Sequence, residues 1–296
     1  MAASPRRPGR PTRPSRHVGQ YVASGDWSDY WSTKISRAES GKIWVRGYPI
    51  QELIEGLSYT ESAFLLLRGE LPDERELALF DLAMRSGVDQ QLINSAACAA
   101  RYTASAFPDS VVPALASGML ASGSVTGSPQ EPAEMLIEAV GWGLEQDEAA
   151  RRVLEVWLER RGAVPGLGHP MHKGAEPRAV SVRKIALELD GWREHGRMLD
   201  AIEAELEQSK GKRIPMNLAG TLGALLADLE FDPLIIGGLG ALGYGAALLA
   251  HIVEEIREGV PLRIIPEALG AHYTGPEERH LPADRLARKR SERSKK

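Results

Sequence analysis

Residues 165–178 read Pro165-Gly166-Leu167-Gly168-His169-Pro170-Met171-His172-Lys173-Gly174-Ala175-Glu176-Pro177-Arg178. Two histidines, a lysine and an arginine stand close together here, supplying donors and cations suited to a thioester carbonyl, a carboxylate or a phosphate. Gly166 and Gly168 free the backbone to take positive φ or to approach a ligand, and the prolines stiffen the loop. The same composition also suits a surface loop carrying helix caps, so the residues alone leave both readings open. A metal centre fits poorly. His169 and His172 stand at i, i+3, Pro170 interrupts any helix between them, and no carboxylate lies at an obvious ligand spacing.

A second string, Gly238-Leu239-Gly240-Ala241-Leu242-Gly243, has the G-x-G-x-x-G form of dinucleotide-binding loops. That motif needs a βαβ unit around it. Here it lies inside a long apolar helical run, where small residues permit close helix packing.

The elements that must position these residues are helical. Helices are expected over 74–86, 90–105, 110–122, 131–160, 177–190, 192–209, 215–229 and 233–258, with Gly or Pro clusters between most of them. Shorter helical patterns cover 50–54 and 60–67, the latter capped by Ser58 or Thr60. The period is 3.6 nearly throughout, with no βαβ alternation and no internal repeat, so the fold class is all-α. One β-prone stretch, 42–48, suits a small hairpin or an extended arm. Residues 234–253 are long and apolar enough for a membrane span, but their glycines and the preceding Pro233 favour a buried helix, and no membrane partner is expected.

At 296 residues, 43% of them hydrophobic, the chain can bury one large domain or a large and a small one. A net charge of −4 gives no general case for nucleic acid. Residues 1–24 are rich in arginine and proline without an apolar stretch, which reads as a disordered basic tail rather than a secretory signal. Residues 281–296 read as a second, solvated basic tail. The single cysteine, Cys98, excludes a disulfide framework and a cysteine metal site; within the apolar run 96–100 it reads as a core thiol, and a cytoplasmic location is expected.

The segment 165–178 resembles the G-x-G-H-P-x-x-K-x-x-D-P-R loop of the citrate synthase superfamily. Arg46-Gly47-Tyr48-Pro49-Ile50 with Leu53, followed by Ala63-Phe64-Leu65-Leu66-Leu67 and Gly69-Glu70-Leu71-Pro72, is similar to two further motifs of that family. Pro215-Met216-Asn217-Leu218-Ala219-Gly220 looks like the stretch bearing its catalytic aspartate. Ala250-His251 with Glu254, and Tyr273-Thr274-Gly275, match its closing helix and tail. These stretches fall in the family's order over roughly residues 30–275, and the Gly-Leu-Gly-His-Pro-x-His-Lys form looks closest to citryl-CoA lyase-like members.

The resemblance implies an all-α fold with a large helical domain, 25–130 and 225–280, and a small coenzyme A-binding domain, 131–224, closing over a cleft. It implies a homodimer, or a heteromer with a paralogue. The substrates implied are an acyl-CoA and a keto acid, with the coenzyme A thioester as substrate and no tightly bound cofactor. His169 matches the histidine that polarises the keto group, Arg178 an arginine that clamps a carboxylate, and His172 is a candidate for proton transfer. Gly166 and Gly168 border the coenzyme A site, whose phosphates Lys173, Lys212 and Arg213 would meet.

Other positions depart from the family. Its enol-stabilising histidine falls at Thr126, its catalytic aspartate at Ala219 and a third histidine at Ser86. Two carboxylate-binding arginines fall at Tyr244 and Ile265, with Arg263 near enough to replace the second. Alanine cannot remove a proton, and a dicarboxylate would lack counter-charges, which argues against ordinary citrate synthesis. The expected function is a citryl-CoA lyase-like carbon–carbon lyase or synthase with an altered site. The alternatives are a non-catalytic coenzyme A-binding partner of an intact paralogue, and a coenzyme A sensor.

Overall fold

The computed structural model describes residues 17–123, 126–169, 171–172, 174–270 and 272–285. Helices α1 (Val18–Ser24), α2 (Ile50–Gly56), α3 (Tyr59–Arg68), α4 (Glu74–Ser86), α5 (Ser95–Ala104), α6 (Val112–Leu120) and α7 (Gln130–Gly141) make up the first half. Helices α8 (Gln146–Arg161), α9 (Pro177–Glu188), α10 (Glu194–Lys210), α11 (Leu218–Asp228), α12 (Pro233–Leu242) and α13 (Gly245–Glu258) make up the second. Strands β1 (Ser36–Glu39), β2 (Lys42–Val45) and β3 (Tyr48–Pro49) form an exposed antiparallel sheet in the order β1-β2-β3, where the β-prone stretch was expected. The all-α class therefore stands.

Local chemistry sets many helix ends. Ser58 with Glu61, and Asp73 with Glu76, close capping boxes at α3 and α4; Asn94, Asn217 and Asp232 cap α5, α11 and α12. Helix α10 has no side-chain cap of its own. Asp228, at the end of α11, reaches across to accept from the amides of Arg193, His195 and Gly196 at 2.8, 2.8 and 3.0 Å, and so ties the two helices together.

Helix α11 is the axis of the larger core. Nine of its eleven residues are buried, and it packs against α4, α7, α9, α10 and α12, so its N-terminal turn is held from several sides. Phe64, Phe80 and Phe231 close this core with ring centroids 5.4 Å apart. A second core joins α5, α6 and α13 through Ala96, Ala100, Ala114, Leu248 and Ile252, small residues on α5 letting α6 lie close.

Several expectations need correction. The helix expected over 131–160 is two, α7 and α8, because Gly143 turns the chain with φ +64°. The run 233–258 is likewise broken, at Gly243 and Tyr244, into α12 and α13. The glycine string lies on α12, where a Cβ on Gly240 would fall 2.5 Å from Pro129; close packing, not a phosphate loop, explains it. Cys98 is exposed rather than a core thiol, its Sγ donating to the Leu92 carbonyl, because the buried face of α5 is the alanine face. Residues 18–24, expected as the end of a disordered tail, form α1; residues 1–16 and 286–296 lie outside the described residues.

At the far end of α13, buried Glu255 accepts from Arg101 Nε (2.7 Å) and from Arg263 Nε and Nη2 (2.5 and 2.9 Å). Arg263 is thereby tied to the protein's own carboxylate and does not replace the missing clamp at Ile265. Hydrogen bonding from Arg263, together with the charge of Arg101, holds the Glu255 carboxyl below its ordinary range. A depressed folded value means that the stabilisation is complete above the unfolded glutamate value, about 4.3, and is lost as pH falls through the folded one. Denaturant titrations of wild type and Glu255→Gln should therefore show a gap in stability at pH 7 that narrows below about pH 4. A gap unchanged between pH 7 and 3 would contradict the assignment.

Candidate functional site

The 165–178 loop is fastened to the N-terminus of α11. Gly168 N–H donates to Pro215 O at 2.8 Å and Asn217 N–H to Gly166 O at 2.9 Å, while Leu167 and Met216 pair as an isolated antiparallel bridge. Asn217 adds two bonds, Nδ2 to Gly168 O at 2.7 Å and Oδ1 from Gly220 N at 3.0 Å, so one side chain caps the helix and grips the loop. The approach requires glycine on both sides. Gly166 has φ +84° and its Cβ would lie 2.6 Å from Gly220 Cα; a Cβ on Gly220 would strike the Gly166 carbonyl.

This clasp sets His169. Its Nδ1 accepts from the amides of Met171 and His172, both at 3.1 Å, so in the neutral ring the proton sits on Nε2. Nε2–H is then a donor suited to a carbonyl or hydroxyl oxygen. The His172 ring lies beside it, centroids 4.6 Å apart, and is not on the cleft wall.

Arg178 sits in the first turn of α9. Its Nε donates to Oε1 of buried Glu176 at 2.7 Å, and Nη1 donates to Asp89 O at 3.2 Å. Glu176 also caps α9 through Ala179 N at 3.0 Å. Asp89 Oδ1 accepts from His251 Nε2 at 3.3 Å.

His169, Arg178 and Gly168 line a cleft of about 440 Å³, together with residues from the α4–α5 loop, the 122–129 turn, the start of α11 and the α12–α13 break. Three of the departures from the family motifs share this wall: Thr126, Ala219 and Tyr244. Ser86 stands just behind it, its Oγ donating to Ala83 O at 2.8 Å. Among the described lining residues there is no carboxylate. The cleft can present a neutral imidazole donor, one guanidinium and the positive end of α11, whose first residues Leu218 and Ala219 face it.

Not every expected site residue joins this group. Gly166 lies beneath the cleft in the clasp. Arg213 pairs with Glu203 at 3.1 Å, on a separate depression of about 490 Å³ between α9 and α10 that is lined by ion-paired side chains and lacks His169. Lys212 is exposed beside it, and Lys173 lies outside the described residues. Sequence reasoning missed Ser122, Gln90 and Asn94, which line the cleft from a helix end and a loop. Only the tertiary fold brings these positions together; no spacing signals them.

The sequence matches the citrate synthase C-terminal domain family over residues 29–94 and 78–265. The citryl-CoA lyase of Hydrogenobacter thermophilus has a similar structure, with TM-score 0.80 and 29% identity, the match covering 86% of this chain and 99% of that one. Citrate synthase 2 of Bacillus subtilis is 23% identical over 79% of this chain; the match spans 60% of that protein's length. The Methanosaeta concilii ATP citrate lyase, solved with (3S)-citryl-CoA, shares the fold at TM-score 0.69 and 22% identity, over 94% of this chain and 47% of that one.

Two expectations follow from the clasp. Long-range ¹H–¹⁵N spectra should show neutral His169 as the Nε2–H tautomer; an Nδ1–H signature would contradict the geometry. Gly220→Ala, which forces backbone against backbone, should cost at least about 2 kcal/mol in chemical denaturation. A loss under about 0.5 kcal/mol would show that loop and helix part easily.

Proposed function

The chain belongs to the citrate synthase family, and from that membership we propose that it binds a coenzyme A thioester in the His169 cleft and makes or breaks the Cα–Cβ bond of its acyl group. The reaction direction proposed is that of a citryl-CoA lyase: a 3-hydroxyacyl-CoA is cleaved to an acyl-CoA and a keto acid. The observation that carries this reading is His169, held as an Nε2–H donor on the wall of a cleft that also presents Arg178. The extent of the likeness to the H. thermophilus lyase supports lyase over synthase.

In the cleavage step the 3-hydroxyl loses its proton and becomes a ketone. The Cα–Cβ bond breaks toward the thioester, and the enolate takes a proton at Cα. His169 Nε2–H holds the oxygen that passes between hydroxyl and ketone, and His172 is the next titratable ring behind it. Arg178 takes a substrate carboxylate, and the N-terminus of α11 favours the charge developing on the enolate oxygen. Gly168 brings backbone close to the thioester, supported by Gly166 beneath it; Lys173, Lys212 and Arg213 are assigned to the outer, phosphate-bearing end of coenzyme A. We assign no tightly bound cofactor.

One observation favours a second reading. With Ala219 and Thr126 on the wall and no described carboxylate there, the cleft lacks an evident base, which suits a coenzyme A-binding partner of an intact paralogue. Exposed apolar residues on α6, α12 and α13, Val112, Leu120, Leu234, Leu242 and Leu249, support association either as a homodimer or with such a paralogue. The division into a large domain, 25–130 and 225–280, and a small one, 131–224, and a cytoplasmic location belong to the same proposal.

The purified chain incubated in deuterated buffer with a panel of acyl-CoAs, including citryl-CoA, should show cleavage or α-proton exchange by mass spectrometry, lost in His169→Ala. Turnover surviving that substitution within a few-fold would remove His169 from the mechanism. Turnover appearing only on addition of a paralogue would favour the partner reading.

A further inference from the structure

Among the described residues, the cleft wall carries little charge for a site that would take a polycarboxylate. Among the described lining residues Arg178 is the only one with a permanent charge, and its Nε is already engaged by buried Glu176 at 2.7 Å. One guanidinium edge matches one carboxylate.

Three hydroxyls, those of Ser122, Thr126 and Tyr244, stand on one side of the cleft, and each is hydrogen-bonded within the protein. Thr126 Oγ1 donates to Gly123 O at 2.6 Å, and Ser122 Oγ to Gly118 O at 3.2 Å. Tyr244, buried at the break, is hydrogen-bonded to Ser122, whose hydroxyl also lies within reach of Gly118 O. All three residues border the cleft, and none of them brings a charge to set against a carboxylate. A second carboxylate placed against them, away from Arg178, would leave water without a counter-charge, which is costly in a cleft. A methyl group, a hydrogen or a hydroxyl would fit.

Resting on the lyase reading above, we propose that the keto product carries a single carboxylate, held by Arg178, and that Tyr244 with Ser122 selects against a second one. The preferred thioester is then a 3-hydroxyacyl-CoA with one free carboxylate. Its cleavage conserves atoms and electrons without a redox partner: the hydroxyl proton is released, the C–O bond becomes a carbonyl, and the Cα–Cβ electron pair returns to the acyl-CoA as a C–H bond.

The test compares 3-carboxy-3-hydroxybutanoyl-CoA, with one free carboxylate, and citryl-CoA, with two, by calorimetric binding to the full chain and by turnover. Binding and kcat/KM at least tenfold in favour of the first are expected. Tyr244→Arg should reverse the preference. Tyr244→Phe, which keeps the ring in place and removes the phenol oxygen, should narrow it. A tenfold binding preference without turnover upholds the selectivity and sinks the lyase reading. Equal or tighter binding of citryl-CoA, as a second cation at Lys173 would produce, overturns the selectivity whether or not either thioester is cleaved. Failure to bind either probe also overturns it.

Discussion

The contact between Gly166 and Gly220 is the constraint from which the rest of the site follows. A loop and a helix N-terminus approach until their backbones touch, and Asn217 fastens the pair with hydrogen bonds to each. Because α11 is packed among five other helices, the loop inherits the rigidity of the core although it is irregular. His169 owes its tautomer to this arrangement. The two amides that fill Nδ1 belong to residues just downstream, and their direction is fixed by the turn that the clasp imposes. A site built on such a support is preorganised, so little free energy goes into ordering it when a ligand binds.

Charge is distributed with economy around the cleft. Two buried carboxylates, Glu176 beside the cleft and Glu255 at the far end of α13, each face arginines, and each also shapes the fold: Glu176 caps α9, and Glu255 ties the segment after α13 to α5. Burial of such groups is tolerable only with these partners. Among the described residues, the cleft wall itself is left to neutral polar groups, the His169 ring and a single guanidinium.

The sequence made much of this legible. The 3.6-residue period and the caps revealed a helical chain, and the His169 loop stood out by its two histidines, lysine and arginine among glycines and prolines, a composition that suits a capping surface loop as well as a binding one. Its helix breaks were less visible: Gly143 sits in a run that keeps its period across the turn, and the break at Gly243 and Tyr244 lies in a stretch whose apolar composition suits one long helix. Cys98 was misread because an alanine-rich helix buries only one face, and composition does not say which. Arg263 illustrates the opposite limit. Its position near Ile265 suggested a substitute clamp, and only the fold shows that a buried glutamate already holds it. Ser122 and Tyr244 meet across 122 positions, a pairing that no local pattern encodes.

The clasp is made of glycines, backbone and one asparagine, whereas the reacting surface is made of side chains that merely project from it. The side chains at 219 and 126 can change without disturbing any bond of the clasp, because none of its hydrogen bonds involves them. The support of the site and the chemistry it presents are therefore separable: an exchange of reacting groups leaves loop and helix where they are.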